Sequence, residues 1–364
     1  MQQQAKLHPF GHGGDVKTAA EAYGFDPKEI VDFSANINPL GPPAGLLAFL
    51  AEQLATVTAY PDPACRKLVN VIREYYQPRQ NIVVGNGAGE LIYTLMRILP
   101  AGTALIPAPS FNLYAKAAQA AGRAVSYHYL QRKHEFKLQV EQICEQIKQE
   151  RPALVMLCNP NNPTGCGLSR AEVLAVSEAC AQSHAYLVID EAFLEFSADW
   201  QERTLLQMAA EHVVVLCSMT KMYAIPGLRL GFLAAAPQLC DAIVKNRDPW
   251  SVNSLAQLAG EFVLRDKTFL EKSVEMITAQ AHELYLALQT IPDIYPFTPG
   301  ANYILLESLQ AASVELQAEL LRQKILIRDC GNYQGLNQRY VRVAVRNHTE
   351  NQTLIEALCS RKQG

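Results

Sequence analysis

The run Val213-Val214-Val215-Leu216-Cys217-Ser218-Met219-Thr220-Lys221-Met222-Tyr223-Ala224-Ile225-Pro226-Gly227-Leu228-Arg229-Leu230-Gly231-Phe232 decides how the chain folds. Its first residues are continuously apolar, as in a buried strand, and they open into a loop carrying one lysine, one hydroxyl and one arginine. A lysine just beyond such a strand loses solvation, so its amine becomes a usable nucleophile near neutral pH, which Schiff-base chemistry needs. Ser218, three residues before Lys221, and Arg229, eight after it, suit a phosphate, the arginine through its planar fork. The same residues also read as a surface lysine and a solvated arginine after a core strand, and the rest of the chain decides between the two readings.

With 364 residues the chain has room for one large and one smaller domain. Hydrophobic residues make up 49%, charged residues 18%, and the formal net charge is -3, so no basic footprint for nucleic acid and no like-charge tail is present. Small-molecule chemistry is the default for such a composition. The nine cysteines are scattered, odd in number, and form no C-x-x-C pair or zinc spacing, which reads as reduced, mostly buried thiols in a cytoplasmic protein without a metal site. The first residues have no apolar stretch to act as a signal peptide, and no run approaches the ~20 apolar residues a membrane span needs.

In chain order, residues 8–15 form a glycine-rich arm with His12 and Gly13, which reads either as a frayed terminus or as a segment held by something else. A short strand from Ile30 turns at Pro39-Leu40-Gly41 and delivers Asn36 to a loop, where its amide donates to a ligand or caps the turn. Helices are expected over 43–57 and 64–76, with Tyr60, held extended by Pro61, projecting from the loop between them. After Ile82-Val83-Val84 the run Gly85-Asn86-Gly87-Ala88-Gly89-Glu90 begins a helix, and free amides there suit an anion, although the run lacks the spacing of a nucleotide motif. Phe111 follows another strand end, as core or as the cover of a flat ring.

Leu154–Cys158 and Tyr186–Ile189 are further buried strands, ending at a punctuated loop with Asn162 and at Asp190. Continuous apolar strands alternating with helices predict an α/β fold with a mainly parallel sheet covered on both faces, and ligands bind beyond the carboxyl ends of such strands. After about residue 250 the pattern changes to one long helix over 253–289, then strands and helices of a smaller α+β domain. Arg328 and Arg342 lie on its apolar strands, where each needs an anionic partner, from the protein or from a ligand.

Asn161-Asn162-Pro163-Thr164-Gly165, Asp190-Glu191-Ala192-Phe193, the Ser218 to Gly231 loop and Arg342, in that order, resemble the fold-type I pyridoxal-phosphate aminotransferases and decarboxylases over nearly the whole chain. The resemblance implies an N-terminal arm over 1–45, a large cofactor-binding domain over 46–252 and a small C-terminal domain over 253–364. It assigns Lys221 to the Schiff base with pyridoxal 5'-phosphate, Asp190 to the ring nitrogen, Asn162 to the ring 3-hydroxyl and Phe111 to ring stacking. Gly87, Ala88 and Gly89, with Ser218 and Arg229, would hold the cofactor phosphate, and Tyr60 would reach it from the other subunit of a homodimer. Many aminotransferases of this fold have a tyrosine where Phe193 stands, and the hydroxyl is missing here.

Within the fold, His12-Gly13-Gly14-Asp15, Asp32 to Gly41, Pro249-Trp250-Ser251-Val252-Asn253 and Ile325-Leu326-Ile327-Arg328 resemble the L-threonine-O-3-phosphate decarboxylases of cobalamin biosynthesis, which are similar to histidinol-phosphate aminotransferases. That resemblance implies a decarboxylase forming (R)-1-amino-2-propanol O-2-phosphate, with His12, Gly13, Asn36 and Arg328 around the substrate phosphate and Asn162 and Arg342 at its carboxylate. The alternatives are a histidinol-phosphate aminotransferase and a decarboxylase of L-serine O-phosphate giving ethanolamine phosphate. One methyl in a pocket is worth only about 1–3 kcal/mol, and no motif reports it.

Overall fold

The structure is a computed structural model that describes residues 13–361. Among the described residues there are thirteen strands: β1 (Val31–Asp32), β2 (Asn81–Asn86), β3 (Ala104–Ala108), β4 (Val125–Tyr129), β5 (Leu154–Cys158), β6 (Tyr186–Asp190), β7 (Val213–Ser218), β8 (Leu230–Ala235), β9 (Ile294–Pro296), β10 (Tyr303–Ser308), β11 (Ile325–Leu326), β12 (Arg328–Asp329) and β13 (Tyr340–Ala344). Seven form the central sheet in the order β2-β8-β7-β6-β5-β3-β4, parallel except for β8, which runs against both neighbours. Alternate side chains of β5, β6 and β7 enter two different cores: Val155, Leu187 and Val215 pack on one face, and Met156, Val188 and Val214 on the other. Burial on both faces is why these strands read as unbroken apolar runs.

The register fixes the site. Cys158 pairs with Asp190 and Asp190 with Leu216, so β5, β6 and β7 end together. The antiparallel β8 starts at that same edge, with Ser218 opposite Gly231 and Asn86 opposite Leu230. The loops after β2, β5, β6 and β7 and the loop before β8 therefore converge.

A second, antiparallel sheet, β12-β13-β10-β9, forms its own core with Ile304, Leu306, Val341 and Val343. The chain before the large sheet is stitched to this region: β1 pairs in parallel with β11, and Ala19 and Ala20 of the helix Val16–Tyr23 pack on Leu321 and Leu326. The helix expected over 253–289 is two helices, Ser254–Val263 and Lys267–Gln289, because Asp266 accepts from the amides of Thr268 and Phe269 and starts a new one. The helix expected over 43–57 is Leu46–Glu52 followed by a 3-10 turn, Leu54–Thr58. Among the described residues no helix is long and apolar enough to cross a membrane.

Candidate active site

A cavity of about 580 Å3 opens at the carboxyl ends of the large sheet, within the ~300–1,000 Å3 typical of small-molecule sites. Lys221 enters it from the one-turn helix Met219–Met222 that follows β7. The turn is pinned from the N-terminal side: Asn38 donates from its backbone N to Lys221 O at 3.1 Å and from Nδ2 to Met222 O at 2.8 Å. Lys221 Nζ donates to Thr220 Oγ1 at 3.2 Å, and that hydroxyl lies 2.8 Å from Ser218 Oγ. Burial, then the charges of Arg229 and Arg342, push the Lys221 amine down to about 8, with Asp190 pulling the other way.

Asp190 is buried at the end of β6. Its Oδ2 accepts from Tyr114 OH at 2.7 Å and its Oδ1 from Ala192 N at 2.9 Å. Burial raises its carboxyl above the ordinary value, against those two hydrogen bonds and the Lys221 charge. The helix Gly87–Ile98 begins beside it with no side chain capping its first amides. Gly87 has φ +70, and a Cβ there would lie 2.4 Å from the Arg229 guanidinium, so a glycine is needed for the arginine to lie against the helix start.

The far wall is built by Asn162, Tyr333 and Arg342. Arg342 donates from Nη1 to Asn162 Oδ1 at 2.5 Å and from Nη2 to Ser34 O at 2.8 Å, and its buried Nε has no partner among the described residues. Tyr333 OH donates to the same Asn162 oxygen at 3.4 Å. Asn36 is also buried at the wall, with Oδ1 unpartnered among the described residues.

The cavity thus gathers Gly13, Asn36, Ala88, Gly89, Phe111, Asn162, Asp190, Ser218, Lys221, Arg229 and Arg342 of the residues singled out in the sequence, with Gly87 immediately behind Arg229. Phe111 is half-buried there, edge-on to Tyr114 at 5.5 Å, and Phe193 also lines the wall. Two residues stand apart. Tyr60 is 80% exposed, its ring 4.6 Å from that of Trp250, and it does not line the cavity of its own chain. Arg328 lies one layer behind the wall, 5.3 Å from the Tyr333 ring and bonded to Asp329 O and Asn332 Oδ1. Both of these oxygens are neutral. His12 lies outside the described residues. Tyr114, Tyr333 and Thr220 were not anticipated; only Tyr114 had a signal, three residues after Phe111 on the helix that follows it.

The chain matches the aminotransferase class I and II family over residues 28–358. It is 36% identical to the threonine-phosphate decarboxylase of Salmonella typhimurium, an alignment covering 95% of each chain. It is 32% identical to the histidinol-phosphate aminotransferase of Methanothermobacter thermautotrophicus, over 97% of this chain and 94% of that one. The crystal structure of the histidinol-phosphate aminotransferase from Clostridium acetobutylicum superposes with a TM-score of 0.83 at 29% identity, covering 90% of this chain and 97% of that one. With its sheet order, its lysine loop and a match spanning nearly all of its length, the chain belongs to the aminotransferase class I and II family.

Proposed function

We propose that the protein is a pyridoxal-phosphate-dependent carboxy-lyase that converts L-threonine O-3-phosphate to (R)-1-amino-2-propanol O-2-phosphate and carbon dioxide. Arg342 carries the reading: it is a buried guanidinium at the wall of the cavity that also holds Lys221 and Asp190, its Nε is unpartnered among the described residues, and its two bonded partners there are neutral oxygens. A buried cation so placed calls for an anionic ligand, and a substrate carboxylate supplies one. The identity to a threonine-phosphate decarboxylase over 95% of both chains supports the substrate class.

Pyridoxal phosphate fits the residues present. The uncapped amides at Gly87, Ala88 and Gly89, with Ser218 and Arg229, make a cradle for a phosphate dianion. Asp190 is a buried carboxyl without a cationic partner in contact among the described residues, and a protonated ring nitrogen beside it is the charge that would offset its burial. Phe111, which lines the cavity, would cover one ring face. Asn162 has Oδ1 committed to Arg342 and Tyr333, which leaves Nδ2 to donate to the ring oxygen in place of the hydroxyl missing at Phe193. Bound there, the cofactor supplies a pyridinium ring that accepts the electron pair left when a bond to the substrate α-carbon breaks.

The chain's own residues would decide which bond that is, by orienting the substrate. In this proposal Arg342 and Asn162 grip the carboxylate end, while the arm with His12 and Gly13, together with Asn36 and Arg328, grips the substrate phosphate. Asn36 presents its N–H2 to the phosphate, and Arg328 exchanges its bond to Asn332 Oδ1 for a phosphate oxygen. Two grips would fix the orientation of the carboxylate, so that carbon dioxide rather than the α-proton would leave. Lys221 Nζ, with its amine at about 8, returns a proton to the α-carbon. Functionally the chain divides into an arm up to residue 45, a cofactor unit over 46–252 and a C-terminal unit from 253, and it acts in the cytoplasm as a homodimer in which Tyr60 reaches the partner's cofactor phosphate.

The test is to offer L-threonine O-3-phosphate and L-serine O-phosphate, and histidinol phosphate with 2-oxoglutarate, to the purified holoenzyme and identify the amine formed. The expected product is 1-amino-2-propanol phosphate. Ethanolamine phosphate as the faster product would move the assignment to the serine ester, and glutamate formation would move it to the aminotransferases.

A further inference from the structure

We propose that Ser34 is a positioning residue of the reaction, which ties the N-terminal arm and the Arg342 guanidinium to a single peptide unit at the cavity wall. The proposal rests on the reading of that cavity as the substrate site. Ser34 is fully buried, and each of its polar atoms is committed. Its backbone N and its hydroxyl both donate to Asp32 Oδ1, at 2.7 and 2.6 Å. With its proton given to the carboxylate, Oγ is left as an acceptor, and it receives the amide of Gly14 from the arm at 2.7 Å. Its carbonyl oxygen accepts Arg342 Nη2 at 2.8 Å.

The neighbouring backbone gives this unit a fixed seat. Phe33 N donates to Leu326 O and Ala344 N donates to Phe33 O, both at 2.8 Å, so the turn is bonded to β11 on one side and to the end of β13, the strand of Arg342, on the other. Gly13 lies directly against it: a Cβ there would lie 2.1 Å from Ser34 O and 3.2 Å from Ser34 Oγ. Only a glycine permits that approach. The carbonyl that aims Arg342 is thus the same one the arm lies against. The seating of Gly13 and Gly14 and the aim of the carboxylate-reading guanidinium thus share one residue, with Asp32 setting the direction of the serine hydroxyl.

Three variants probe the latch from its three sides, each measured in the holoenzyme with L-threonine O-3-phosphate, with cofactor loading followed by visible absorbance. Ser34→Ala removes the acceptor for Gly14, Gly13→Ala pushes the arm away, and Asp32→Ala releases the hydroxyl. Each is expected to raise KM about tenfold, the effect of stranding one buried donor, with a smaller change in kcat and no change in cofactor absorbance. Asp32→Asn keeps an acceptor oxygen and should recover most of the loss. The double variant Ser34→Ala with Gly13→Ala should be no worse than its worse single, because both cut one latch. An unchanged KM in Ser34→Ala, or losses that multiply to about a hundredfold in the double variant, overturns the latch alone. A wild-type holoenzyme that turns over no phosphoamino acid overturns both the latch and the reading beneath it.

Discussion

At Lys221 burial and two nearby guanidinium groups outweigh the attraction of Asp190, and the amine falls from the ordinary 10.5 to about 8. The linkage has a definite sign. Between about 8 and 10.5 the unfolded chain binds more protons than the folded one, so this group's contribution to stability rises with pH across that window and is least favourable below it. Lys221→Met should therefore raise the melting temperature of the cofactor-free protein at pH 7, with the gain fading as pH approaches 10.5. An equal gain at both ends of the window would mean that the amine is not depressed. The residue types at the site were legible because each is demanded by chemistry at a strand end: a lysine, a carboxylate and an arginine beside apolar runs. Their orienting partners were not. Tyr114 meets Asp190 across 76 residues and Tyr333 meets Asn162 across 171, contacts that exist only once the sheet has formed.

Strands buried on both faces carry the clearest pattern, which is why β5, β6 and β7 and their shared carboxyl edge follow from apolar runs alone. Helix ends do not. The break between Ser254–Val263 and Lys267–Gln289 falls at residues that all tolerate a helix, and it is set by Asp266, whose Oδ1 takes the Thr268 and Phe269 amides at 3.1 and 3.2 Å. Asp266→Ala should cost about 1 kcal/mol, read as a lower urea midpoint with an unaltered slope. An unchanged midpoint would mean that packing of Phe269 and Leu270, rather than the cap, starts the second helix. The short strands near Arg328 show the other kind of loss: apolar context announced a strand, but Ile325–Leu326 pairs with β1 while Arg328–Asp329 joins β13. The side chain consequently sits behind Tyr333 rather than at the wall.

For the molecule as a whole, the stretch from Leu40 to Tyr60 leaves Leu40, Leu47, Leu54, Val57 and Tyr60 exposed, with Trp250 beside Tyr60, apolar surface available to the proposed homodimer. Mixing Tyr60→Phe subunits with Lys221→Ala subunits should regenerate one site free of both changes, and activity per hybrid should exceed that of either parent. A fully active monomer at assay concentration would remove Tyr60 from the site. In the proposed reaction the chemistry depends on two grips on one substrate, at its phosphate and at its carboxylate, and that geometry would separate loss of carbon dioxide from transfer of the amino group. The most direct measurement uses carboxyl-labelled L-threonine O-3-phosphate with the holoenzyme and no 2-oxo acid. One carbon dioxide should be released per amine formed through many turnovers, with the cofactor remaining in its aldehyde form. Accumulation of pyridoxamine phosphate without release of label, or turnover only with histidinol phosphate and 2-oxoglutarate, would contradict the account.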